Sequence, residues 1–383
     1  MLRFLTAGES HGPGLVTVVE GLPAGLPVTA AALGVELARR RRGYGRGGRM
    51  AVERDHLEIL GGVRFGRTLG GPVAVVVRNS EWPKWQEAMA PEPGGPGTAP
   101  LRAPRPGHAD LAGMLKYDTH DARDVLERAS ARETAARAVA GCLAGALLAA
   151  SGVSVLGHVT AIGGVAAAGP APGPGDRARV ERSRVRCLDR EAARAMTAEI
   201  DRARRDGDTL GGLVEVLAFG VPAGVGSHVH WDRRLDAALA AALMSIPGMR
   251  GVEVGDGFAA ATRRGSEAQD AIAYSGGAFR RPTNRAGGIE GGMSTGEPIR
   301  VRAAMKPLST LGRPAGSIDV ATKKPAPALR QRSDTCAVPS AAVVAEHMTA
   351  WVLAAEMAQQ FGGDTVADFT GAVEAYRRRL GGF

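Results

Sequence analysis

Two histidines in this 383-residue chain stand in loops whose neighbours favour chemistry over packing. His11 follows Ser10 in GESHGPG, just ahead of a valine-rich stretch. Isolated histidines are more often structural or surface residues. Glycines on both sides shift that balance, because they let a ligand approach both backbone and imidazole closely. His108 lies in RPGHAD, where Pro106 and Gly107 bring it onto one turn with Arg105. Two such histidines, each beside a potential anion ligand, read as a pair of general acids.

Two further segments supply charge. In ERASARETAAR (127–137), Arg128 and Arg132 are four apart, which places them on one helix face near a helix amino end, where backbone N–H groups favour phosphate. The alternative is an exposed helix laced with Glu–Arg pairs, and Glu133 with Arg137 reads as one. KPLSTL (306–311) offers Lys306, Ser309 and Thr310 as a loop that contacts phosphate or flavin. In RQRSDTCAVP (330–339), Arg332 and Asp334 sit two apart in an irregular stretch where both can point into a cleft, although a plain surface pair has the same spacing.

The elements that must hold these segments are legible in outline. Residues 14–20 (GLVTVVE), 73–78 (VAVVVR) and 211–217 (GGLVEVL) read as strands. Residues 28–42 read as a helix entered after Pro27 and Thr29, with Leu33, Val35, Leu37 and Ala38 to one side. A long helix is expected from Asp124 to Gly152, opened by Asp124 and Glu127 at capping-box spacing, with Val125, Ala129, Ala136, Val139, Leu143 and Leu147 as its apolar stripe. Further helices are expected at 187–205, 232–245 and 339–361, and an amphipathic tail at 367–380. The turn-rich stretches 91–107 and 167–176 read as loops; the first runs into His108 and so reads as a lid. Two halves, one beginning at residues 8–12 and one around residues 251–258, each join strand-like runs to a long helix. The expectation is an α+β fold in one domain spanning 1–383: a layered β–α–β sandwich with helices packed between antiparallel sheets.

Composition narrows the class of function. Hydrophobic residues make up 44%, enough for a sizeable core, and the longest apolar run, Ala138 to Ala150, is too short to span a bilayer. Cys142, Cys187 and Cys336 form no CxxC pair, which argues for a reducing compartment and against structural zinc; no metal site is expected. No signal peptide is visible at the start, so the expected location is the cytoplasm. Net charge is +9. The densest basic run, Arg39, Arg40, Arg41, Arg42, Arg46 and Arg49, is interleaved with glycines and a single aromatic, Tyr44. Single-strand and base-reading proteins set aromatics among their cations, so a small polyanion is preferred to nucleic acid. A protein that binds RNA or a membrane through this run would need it exposed.

In order along the whole chain, GESHG, RRxxGYGRGGRM, LGGVRFGRTLGGPVAVVVRN, RPGHADLAGMLKY, ERASARETAAR, MSIPGMRGVEVGDGF, NRAGGIEGGMSTGEPI, MKPLSTL and RSDTCAVP resemble the signatures of the chorismate synthase family. The resemblance implies a lyase of the shikimate pathway of aromatic amino-acid biosynthesis, which uses reduced FMN to eliminate phosphate from 5-enolpyruvylshikimate 3-phosphate and form chorismate without net redox change. It implies that His11 protonates the departing phosphate, that His108 acts near the pyrimidine ring of the flavin, and that Asp334 acts beside flavin N5. From the sequence alone the two histidines could exchange roles. Ser10, Arg40, Arg46, Arg105, Arg132 and Arg332 fall where the family contacts substrate. Arg128, Ala129, Ser130, Pro247, Gly248, Gly291, Lys306, Pro307, Leu308, Ser309, Thr310 and Arg332 fall where it contacts flavin. Many members have a polar residue followed by alanine at 247–248; Pro–Gly here leaves backbone contacts. The resemblance also implies a homotetramer, with NADPH as a candidate reductant, since some members reduce their own flavin. A flavin reductase with net redox turnover is the rival enzyme class; no GxGxxG strand–helix unit is present for either nucleotide.

Overall fold

The computed structural model describes residues 1–47, 56–93, 98–331 and 334–383. Arg49 and Arg332, both singled out above, lie outside the described residues, as do 94–97 within the turn-rich stretch 91–107.

The first sheet consists of β1 (Arg3–Ala7), β2 (Gly14–Glu20), β3 (His56–Gly61) and β4 (Val73–Arg78), antiparallel in the order β1-β2-β4-β3. Alternation explains its inner face. Leu15, Thr17 and Val19 of β2 sit opposite Val77, Val75 and Val73 of β4, and all are buried. Thr17 satisfies its buried hydroxyl by donating to the Ala136 carbonyl, 2.9 Å away. Helix α1 (Ala30–Arg41) starts on Thr29, whose side chain accepts from Ala32 N. Leu33 and Leu37 are buried one turn apart, whereas Val35 is 61% exposed. The expectation that Val35 joins the apolar side is corrected here: two residues along a helix is more than half a turn.

The second sheet is also antiparallel, formed by β5 (Ser154–Ile162), β6 (Val165–Ala166), β7 (Gly212–Phe219), β8 (Met249–Val254) and β9 (Ile299–Met305) in the order β8-β9-β7-β5-β6. Helices fill the space between the sheets. α2 (Asp110–Tyr117) and the short α3 (Arg123–Leu126) precede α4 (Thr134–Ala150), which packs on β2 and α1. α5 (Arg190–Asp206) and α6 (Leu235–Met244) follow. α7 (Val338–Phe361) packs between α4 and the strands β5 and β7, and α8 (Val366–Gly381) closes the chain on a Thr365–Asp368 capping box. The layered sandwich expected from the sequence is therefore the observed architecture. α7 is buried on every side from Val338 to Ala354 because protein surrounds that stretch, and the run 138–150 lies in α4, mostly buried.

Backbones meet closely in the middle layer. A Cβ on Gly141 of α4 would lie 2.3 Å from the His347 Cβ of α7, and one on Gly157 of β5 would lie 2.3 Å from the Ala342 carbonyl of α7.

The expected helix from Asp124 to Gly152 is broken. α3 ends at Leu126, Ser130 is extended at φ −67° and ψ 140°, and a 3-10 turn (Ala131–Glu133) leads into α4. Asp124 and Glu127 form no capping box: the Asp124 carboxylate accepts from Thr119, and Glu127 is used elsewhere. Arg128 and Arg132 therefore do not share a helix face.

Candidate active site

A cavity of about 760 Å³ opens between the helical layer and the loops that leave the sheets. That volume suits a ligand of drug or cofactor size. It is lined by Ser10, His11, Arg40, Arg46, Arg105, His108, Ala129, Ser130, Arg132, Pro247, Gly248, the run Lys306–Thr310 and Asp334. The structure thus brings together most of the positions the sequence singled out.

Each position has a structural cause. His11 sits in the turn between β1 and β2, where Ser10 N donates to the Glu127 carbonyl (2.9 Å) and His11 N donates to the Glu127 carboxylate (3.0 Å). The His11 Nδ1 lies 2.8 Å from both Glu127 oxygens, and the Trp85 indole stacks on the imidazole with centroids 3.8 Å apart. Arg40 occupies the last turn of α1, 3% exposed, with Nη1 donating to Thr134 Oγ1 (3.3 Å). Arg46 pairs with Asp334 at 2.8 Å, and the same carboxylate accepts from Gly47 N at 2.7 Å.

The Arg105–His108 turn closes around Asp110, which is fully buried. Asp110 accepts from Arg105 N (3.0 Å) and Arg105 Nε (2.8 Å) and lies 2.5 Å from His108 Nδ1. Burial alone would raise this carboxyl, but the hydrogen bonds from His108 and Arg105 hold it well below the usual carboxylate range. Gly107, at φ +72°, makes the turn possible, and its carbonyl accepts from Ser309. Lys306 donates to the same Ser309 hydroxyl (2.8 Å). Burial, with Arg250 nearby, pushes the Lys306 ammonium down.

The break in the helix has a consequence for the site. Ser130 and Arg132 lie where the chain enters the 17-residue α4, and Ser130, Ala131, Arg132 and Thr134 all line the cavity. A helix amino end that favours anions is present, but at Thr134 and not at the expected Asp124, nearly three turns further along the chain. Arg128 is turned away, donating to the carbonyls of Gly8 and Thr6. Gly291 is not among the lining residues; it stands at φ +57° between the short strands 289–290 and 293–294. Glu133 and Arg137 do pair at 2.7 Å, but Glu133 is buried and also accepts from Thr6, so this is not the exposed pair expected.

Sequence reasoning gave Asp110 and Trp85 no role and gave Glu127 only a helix-capping one, although Asp110 and Glu127 lie inside recognised motifs. It also missed the carboxylates that hold Arg39, which is buried among Glu36 of its own helix and Glu181 and Glu346 from elsewhere in the chain. Among the described residues of the basic run, Arg39 and Arg40 are buried, Arg41 and Arg46 are half-buried and only Arg42 is exposed, so most of its charge is turned inward and not to an RNA or membrane surface.

Comparison with known proteins agrees with this geometry. The family model for chorismate synthase matches residues 2–358. The chain belongs to the chorismate synthase family. It is similar to the chorismate synthase of Acidothermus cellulolyticus, 61% identical over 98% of each chain, and to that of Salinispora tropica, 57% identical over all of this chain and 98% of the relative. A solved structure described as a crystal structure of chorismate synthase superposes with a TM-score of 0.80 at 38% identity, covering all of this chain and 99% of the other. The protein is accordingly a phosphate-eliminating carbon–oxygen lyase of aromatic amino-acid biosynthesis in the shikimate pathway.

Proposed function

We propose that the cavity holds 5-enolpyruvylshikimate 3-phosphate together with reduced FMN, and that the side chains around it eliminate the substrate's phosphate to leave chorismate. The observation that carries this reading is the electrostatic make-up of one cavity: Arg40, Arg46, Arg105, Arg132 and Lys306 converge on it with the amino end of α4. Substrate carboxylates and phosphates need such a cluster, and guanidinium forks match their geometry. The donor set also fits a flavin nucleotide. Ile246, Met305, Leu308 and Val344 give the cavity an apolar stretch for a planar ring, while Ser130, Lys306, Ser309 and Thr310 offer donors to a phosphate tail. Pro247 and Gly248 present backbone there, and the Gly248 carbonyl is engaged by Lys306 N.

Reduced FMN, when bound, supplies the electron density that phosphate departure requires and regains it as the C–H bond breaks. The chain's own groups handle protons and charge. The His11 Nδ1 is on Glu127, so a proton given to the leaving phosphate departs from Nε2. His108, held on Asp110, would be the second donor and would serve the flavin. Asp334, fixed by Arg46 and Gly47, is the proton relay. Ser10, Arg40, Arg46, Arg105, Arg132 and Arg332 would hold substrate. Arg128 and Gly291, which do not line this cavity, have less support as flavin contacts. One large buried cluster running from Leu2 to Val373, beside a small one around Met114, Val125 and Val320, supports a one-domain chain. Action in the cytoplasm as a homotetramer, with NADPH as reductant, completes the proposal.

The test is an anaerobic assay with photoreduced FMN and 5-enolpyruvylshikimate 3-phosphate, following phosphate and diene. Turnover with reduced but not oxidised FMN is expected, with losses of about 100-fold or more in His11→Ala and Asp334→Ala. No phosphate release with reduced flavin present would overturn the reading.

A further inference from the structure

The two histidines are backed by carboxylates in different ways. Asp110 is shared: besides His108 Nδ1 it takes Arg105 Nε and Arg105 Nη2, the last at 3.1 Å, so a permanent cation already balances it. Arg105 Nη2 also lies 3.1 Å from His108 Nδ1. Glu127 is committed to one residue. Its carboxylate takes His11 Nδ1 on both oxygens and His11 N on one, and its side chain is 1% exposed. Trp85 covers a face of the ring, and the chain flanking Glu127 is anchored through Ser10 N.

We infer that Glu127 is the positioning residue for His11, fixing its Nδ1–H and ring orientation so that the proton for catalysis is carried on Nε2. The inference rests on His11 being the proton donor proposed above. The charged and titratable groups that line the cavity with His11 and Glu127 are Arg40, Arg46, Arg105, Arg132, Arg250, Lys306, His108 and Asp334. In the step itself, the proton passes from Nε2 to the departing phosphate oxygen as the C–O bond breaks with its electron pair. The imidazole is left neutral, with Nδ1–H still on Glu127, ready to be reprotonated at Nε2. Removing the carboxylate of a comparable pair costs orders of magnitude in rate, chiefly through the wrong tautomer.

The experiment compares wild type, Glu127→Gln, Glu127→Asp and His11→Ala in the anaerobic assay, with ¹⁵N NMR of histidine-labelled wild-type protein. Glu127→Gln is expected to lower kcat by about 100-fold with KM changed less than about threefold. Its alkaline limb should move to lower pH, because an acid that has lost its anionic partner gives up its proton earlier. Glu127→Asp should recover part of kcat. Neutral His11 should be the Nδ1–H tautomer in wild type, a readout that needs no variant to fold. An Nε2–H tautomer, or full kcat and an unmoved pH limb in Glu127→Gln beside an inactive His11→Ala, would overturn the inference and leave the proposed function standing. Full activity in His11→Ala would instead overturn the role of His11 on which it rests.

Discussion

Replacing Glu346 by glutamine should destabilise the fold more than any surface change, because this carboxylate ties the middle layer together. Arg39 donates to it through Nη1 at 2.8 Å and Nη2 at 3.0 Å, Gly157 N donates at 2.8 Å, and Arg177 adds a bond at 3.0 Å. Burial by itself would raise the Glu346 carboxyl, but the charge and hydrogen bonds of Arg39 outweigh it and hold the group at about 2 instead of 4.5. At about 1.4 kcal/mol per pH unit, that displacement is on the order of 3 kcal/mol of stability at neutral pH. Breaking a buried pair by removing one partner costs about 3–5 kcal/mol. Arg39 would retain Glu36 and Glu181, so the low end, about 3 kcal/mol, is expected. The sign of the pH dependence follows from the lowered value. The contribution is complete above the unfolded value near 4.5 and is lost as pH falls toward about 2. Urea unfolding of wild type and Glu346→Gln from about pH 6 to about pH 3.5 should therefore show a gap that narrows with acidity. A gap under about 1 kcal/mol at pH 6, or one that widens on acidification, would refute the reasoning.

Gly141→Ala should lower the urea midpoint. Helix propensity alone favours alanine by about 1 kcal/mol, but a Cβ 2.3 Å from the His347 Cβ forces α4 and α7 apart, at a typical cost of about 1–3 kcal/mol; an unchanged or raised midpoint would show that the helices part freely. The thiols should be inert toward a disulfide reagent at pH 8 in the native protein and react in urea. Burial pushes Cys142 up to about 12, Cys336 up to about 11 and Cys187 upward, and rapid native reaction of any of them would contradict this.

The parts of the site that were legible in the sequence are those where one short segment contains its own geometry. Pro106 and Gly107 imply the turn that joins Arg105 to His108, and that turn is observed. The valine richness of 14–20 and 73–78 sufficed to read both as strands, and the structure pairs them in the first sheet. The stretch from Asp124 to Arg132 misled because Asp124 and Glu127 reproduce capping-box spacing while Glu127 is recruited by a residue 116 positions away. No local pattern encodes that partner. The same holds for Arg39, whose buried partner Glu346 is 307 positions distant; within its own segment it looks like one more member of a solvated basic run. Val35 was misplaced for a different reason, since a short apolar cluster carries too little phase information to separate two faces of a helix.

By itself the sequence determined the sandwich of helices and antiparallel strands, the glycine-flanked histidines, the preference for a small polyanion over nucleic acid, and the family. All of these rest on local periodicity, residue type and motif order. Only the tertiary structure decided which arginines face the cavity and which are turned away, that the helix breaks at Ser130 so that α4 begins at the site, and that each histidine is backed by a different kind of carboxylate. Those outcomes depend on contacts between segments far apart in the chain. Burial then sets their strength, because a carboxylate removed from water must find its counter-charge wherever the fold delivers one.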